Sequence, residues 1–148
     1  MPDGTPGAAP APLDLVLPAS IDALPAAQQR LSAYLRAAGL PAKITGRAEL
    51  LLEELVTNAI RHGGLADPAA ARLSLQASIL SSTACRLVFE DPGVPFDPTA
   101  ASLPEPAARL EEARIGGLGL VLLHRMASDL VHERLPEGRN RITFSLTA

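Results

Sequence analysis

The segment Lys43 to His62 most constrains what this chain can fold into. At about 100° per residue, Leu52, Leu55, Val56, Ala59 and Ile60 share one apolar arc. This is the strongest helix pattern in the chain, and the pair Gly63-Gly64 ends it. A helix with one apolar face needs a second layer to bury it. Strand patterns on both sides supply that layer. Leu13 to Leu17 reads as a short strand stopped by Pro18. Ala71 to Leu80 and Ala84 to Glu90 read as two strands joined by the polar turn Ser81-Ser82-Thr83. Leu130 to Leu135 and Arg141 to Leu146 read as two more, joined around Glu137-Gly138. Further helices are expected over Ile21 to Ala38, before the stop at Gly39 and Pro41, and over Leu120 to Ser128.

At 148 residues the chain suits one domain. Hydrophobic residues make up 47%, but aromatics only 3%, so its core must be built from aliphatic side chains. Without tryptophan, stacking of nucleic-acid bases is disfavoured, and a net charge of -3 argues against a broad phosphate-backbone surface. The one cysteine, Cys85, allows neither an internal disulfide nor a cysteine zinc site, and reads as a small buried residue. No signal peptide or membrane-spanning stretch is visible, so a cytoplasmic location is expected. Met1 to Pro12, rich in Pro, Gly and Ala, is expected to be a flexible tail, leaving 13–148 as the domain.

On the long helix, Glu54, Asn58 and His62 lie four apart in a near-axial line. The line begins on the polar face and reaches the border of the apolar arc at His62. Asn is a poor mid-helix residue, because its side chain competes for backbone hydrogen bonds. Its amide oxygen is a suitable hard ligand for Mg²⁺. Glu54, one turn away, is then placed to act as a general base. By itself the line is also what a solvated helix face looks like. His62 alone reads as a helix-end residue favoured by the macrodipole.

Two glycine loops follow. Asp91 ends an apolar strand and begins Asp91-Pro92-Gly93. A carboxylate there can accept from an exocyclic amine such as adenine's, and Gly93 lets the backbone approach closely. A plain Asp-Pro-Gly turn reads the same way. Gly116-Gly117-Leu118-Gly119 opens the next helix, where free N–H groups form an anion site, or alternatively a hinge. Neither a Walker A loop nor a Rossmann fingerprint is present. Between the loops, about 92–116 is proline-rich and long enough to read as a lid, with a helical turn around 107–113.

Taken in order, Glu-x-x-x-Asn on a helix, Asp-x-Gly at a strand end, a lid and Gly-x-Gly opening a helix resemble the histidine kinase-like (GHKL) ATPase domain. Gyrase, Hsp90, histidine kinases and MutL share that domain. Glu54 to Gly63 looks most like the first box of the small bacterial anti-sigma-factor serine/threonine kinases. The resemblance runs from about Leu13 to the C-terminus. It implies an α/β fold, a two-layer α+β sandwich with a mixed, mainly antiparallel sheet and helices on one face. It implies ATP and Mg²⁺ as cofactors, with Glu54 as catalytic base and Asn58 as metal ligand. The nucleotide-contacting set it implies is Asn58, His62, Asp91, Gly93, Gly117, Leu118, Gly119 and Thr143. Within that set Thr143 supports the adenine contact of Asp91.

What the resemblance implies for function is transfer of the γ-phosphoryl group to Ser or Thr of an antagonist protein, with control of a sigma factor by partner switching. Direct nucleic-acid or membrane binding is not expected. A homodimer through the first helix and the preceding strand is plausible on the same ground. The chain departs from the pattern at Pro95, where many relatives carry a second glycine, and in a lid whose basic residues are chiefly Arg109 and Arg114. Two other readings stay open. One is a regulatory module that binds ATP without chemistry. The other is a detached histidine-kinase catalytic domain, against which stands the lack of a long dimerisation helix bearing a substrate histidine.

Overall fold

The computed structural model describes residues 10–95 and 118–148. Its five strands are β1 (Leu13–Pro18), β2 (Arg72–Ser81), β3 (Ala84–Asp91), β4 (Ser128–Arg134) and β5 (Asn140–Thr147). Alternation gives each of the three central strands one core face. Leu73, Leu75 and Ala77 on β2 are buried, as are Cys85, Leu87 and Phe89 on β3 and Ile142, Phe144 and Leu146 on β5. Leu15 and Leu17 on β1 continue that face, while Val16 between them is 71% exposed.

The strands lie in the order β1-β2-β3-β5-β4. Every pairing among the described residues is antiparallel, so the parallel component of the expected mixed sheet is not found among them. The polar turn after β2 makes a hairpin with β3, as the sequence implied, with a register shift between Ile79 and Ser81.

Helix α1 (Leu24–Ala37) packs on α2 (Ala42–His62), and α2 also packs on α3 (Leu118–Met126) and reaches β3 and β5. The interlayer space is filled mainly by leucines, including the fully buried Leu31, Leu35 and Leu51, with Ile44 and Val56. Phe89 and Phe144 are the largest side chains among them. The result is the expected two-layer sandwich.

The first helix begins later than its apolar pattern implied. Ile21–Ala23 is a 3₁₀ turn, capped by Ser20, whose hydroxyl accepts from the Asp22 N–H at 3.2 Å. The α-helix proper starts at Leu24, with Pro25 in its first turn, where a missing N–H costs nothing. It ends in a Schellman motif. Gly39 takes φ +82°, its N–H reaches the Arg36 carbonyl, and the Leu40 N–H reaches the Leu35 carbonyl. Polar contacts cross the helix pair at Glu49: the buried Ser32 hydroxyl bonds its carboxylate, and Gln28 Nε2 donates to its backbone carbonyl at 3.0 Å.

Candidate functional site

The C-terminus of α2 and the end of β3 meet. The Val94 N–H donates to the Gly63 carbonyl at 2.8 Å, tying the loop after β3 to the end of α2. Gly93 allows this approach. A Cβ built on it would lie 2.8 Å from Asp91 Oδ1 and 2.9 Å from both the Cα and the carbonyl oxygen of Gly63. Two of those neighbours are backbone atoms, so they have little room to give. Gly63 and Gly93 therefore act together; reading Gly63-Gly64 only as a helix stop missed this second role.

Asp91 is 9% exposed on the helix-bearing side of the sheet. Its Oδ1 accepts from the Gly93 N–H at 2.8 Å and from Asn140 Nδ2 at 3.2 Å. Both bonds converge on one oxygen, which leaves Oδ2 as the acceptor to offer a ligand. Asn140 is 3% exposed. Its Nδ2 also donates to the Val94 carbonyl at 2.8 Å, while its Oδ1 accepts from Arg134 Nη1 at 3.2 Å and lies 3.3 Å from His132 Nε2. A carbonyl only accepts and a guanidinium only donates, so the amide has one chemically consistent orientation.

Thr143 does not join this group. It pairs with Val88, while Asn140 pairs with Asp91. An odd number of residues from Asn140, its side chain emerges on the opposite face of the sheet. The residue that supports Asp91 is Asn140, which the sequence reading passed over. Period-two counting back from the buried Ile142, Phe144 and Leu146 would have found it.

On α2, Glu54 and Asn58 are half-buried and His62 is exposed. The polar line is thus most enclosed at Glu54 and Asn58, not at the His62 end where the helical wheel placed the border. Burial pushes the Glu54 carboxyl above its ordinary pKa; the neighbouring Glu53 adds to this, and Arg61 opposes it. Asn58 Oδ1 is buried and has no hydrogen-bond partner. Leaving such an acceptor unsatisfied costs about 1–3 kcal/mol, so a ligand for it is the economical explanation. A hard cation fits that oxygen, while the space a Cβ would take at Gly93 is filled by the Gly63 backbone and Asp91 Oδ1, so Gly93 serves to seat the carboxylate. No group of three or more His, Cys, Asp or Glu that could hold a metal occurs among the described residues.

Gly117 lies outside the described residues, as do residues 96–116 of the lid expected over about 92–116, its turn around 107–113, and Arg109 and Arg114. Leu118 and Gly119 form the first turn of α3, which begins two residues earlier than expected. Among the described residues, no helix is long and apolar enough to cross a membrane.

A two-layer sandwich with an antiparallel sheet, an Asn-bearing helix and an Asp at a strand end defines a class of nucleotide-handling domains. The chain belongs to the histidine kinase-like ATPase domain family, whose profile matches residues 17–146. Among solved structures, it is similar to the RsbU and RsbW domains of Rv1364c from Mycobacterium tuberculosis, with a TM-score of 0.65 and 18% identity. The alignment covers 93% of this chain and 32% of that one, so this chain spans about a third of the length of the chain it matches. No curated protein matches.

Proposed function

We propose that this chain binds Mg-ATP and transfers the γ-phosphoryl group to a Ser or Thr hydroxyl of a small antagonist protein, thereby controlling a sigma factor by partner switching. The observation that supports this most is the buried, unpartnered Oδ1 of Asn58, one helical turn from a carboxyl held above its usual pKa. When bound, the metal would neutralise phosphate charge and the nucleotide would supply the group to be transferred. Asn58 presents its amide oxygen to the metal. Asp91 accepts from the exocyclic amine of the base, and Gly93 holds that carboxylate through its N–H. Gly117, Leu118 and Gly119 are the backbone positions for the phosphates.

Glu54 takes the proton of the attacking hydroxyl. Its raised pKa gives it more proton affinity than an ordinary glutamate, as a base working near neutral pH requires. The similarity to a structure containing an RsbW domain supports the fold on which this reading rests. The test is transfer of γ-labelled phosphate to candidate antagonist proteins carrying Ser or Thr. We expect a labelled partner, with label lost in Glu54→Ala while nucleotide binding is kept. If only free phosphate appears, the transfer reading fails. If Glu54→Ala keeps the full biological effect, the chain is a binding module.

A further inference from the structure

Arg134 ends β4, the edge strand, and is exposed along part of its length. Water could satisfy such a guanidinium, yet one of its nitrogens is committed to protein acceptors. Nη1 donates to the Gly93 carbonyl at 2.8 Å and to Asn140 Oδ1 at 3.2 Å. These two acceptors sit on either side of Asp91. Gly93 donates to Asp91 Oδ1 from its backbone, and Asn140 donates to the same oxygen from its amide. Arg134 therefore holds, from outside, both groups that hold the carboxylate. Its positive charge strengthens the polarisation of each, since a charged donor makes the stronger hydrogen bond.

We infer that Arg134 is a positioning residue for base recognition: it clasps the Gly93 carbonyl and the Asn140 amide, and so sets where Asp91 presents its remaining oxygen. The inference rests on Asp91 being the base contact. Arg134 touches no substrate itself. Its influence reaches the base end of the site and not the phosphate end, where Asn58 and Glu54 lie on α2. Both bonds leave one nitrogen; a lysine ammonium carries donors enough for both but lacks the planar guanidinium that fixes where Nη1 sits.

The test measures nucleotide affinity and transfer rate in the full chain. Arg134→Ala should weaken ATP with magnesium and ADP with chelator alike, by about tenfold, the scale of one charge-assisted bond. Transfer at saturating ATP should be unchanged, and Arg134→Lys should recover part of the loss. Arg139→Ala is the charge-matched control. Arg139 bonds Glu90 at 3.3 Å and the Arg72 carbonyl at 3.1 Å, and Glu90 faces away from Asp91. The inference is overturned if Arg134→Ala binds as the wild type does, if its loss vanishes with ADP, or if Arg139→Ala loses as much. Wild-type affinity in Asp91→Asn sinks the site reading and the inference with it. Weak binding in Asp91→Asn beside normal binding in Arg134→Ala sinks the inference alone.

Discussion

Asn58 and Glu54 are both costly residues for an empty helix to carry, and the costs can be measured separately. Replacing Asn58 by Ala removes the buried acceptor that has no partner and installs a better helix former. Chemical denaturation of Asn58→Ala should give a stability no lower than wild type, while the thermal shift with Mg-ATP disappears. A stability loss of more than about 1 kcal/mol would mean that Asn58 is a structural residue after all. Glu54 makes a pH-dependent version of the same point. Its carboxyl is raised in the folded chain, chiefly by burial. The folded state therefore holds this proton more tightly than the unfolded one, and the associated stability is present below the unfolded pKa. It is lost as pH rises through the folded pKa. Glu54→Gln should be at least as stable as wild type at neutral pH, and the gap should close on acidification, as melting temperatures across that window will show. A gap that widens in acid contradicts the sign of the shift.

Among elements, the decisive contact is between the end of α2 and the end of β3. Gly93→Ala forces a methyl to within 3 Å of the Gly63 backbone. Overpacking of this kind costs about 1–3 kcal/mol, so the variant should melt lower and bind nucleotide poorly even where it remains folded. Unchanged melting would show that the loop moves freely. How far this junction can be read from the sequence follows from locality. The α2 pattern and the five strands rest on short-range periodicity, and they are recovered nearly to their ends. The start of α1 shifts because Pro25 and Ser20 outweigh the apolar spacing at Ile21. The Gly63–Gly93 approach and the reach of Arg134 to Gly93 join residues far apart in the chain, and no periodicity encodes them. Thr143 is different, since strand parity alone assigns it to the far face. There a resemblance to a polar position outweighed a simpler physical count.

For the molecule as a whole, Cys85 connects the core to the site. It is fully buried in β3, the central strand whose end carries Asp91. Burial pushes its thiol up to about 11, so at neutral pH the reactive thiolate is scarce until the sheet opens. Labelling of this single cysteine therefore reports opening of the chain, provided closing is faster than reaction. If the layers form one cooperative unit, a ligand that binds only the closed form must suppress that opening. At about 100 times its Kd, Mg-ATP should slow labelling by about a hundredfold. Asn58→Ala, folded but without its metal ligand, should show no such protection, and Arg134→Ala should show it only at higher nucleotide. Labelling that ignores nucleotide in the wild-type chain, while binding is demonstrated by other means, would mean that β3 opens locally. The site and the core would then be energetically separate, despite Asp91 and Cys85 sharing a strand.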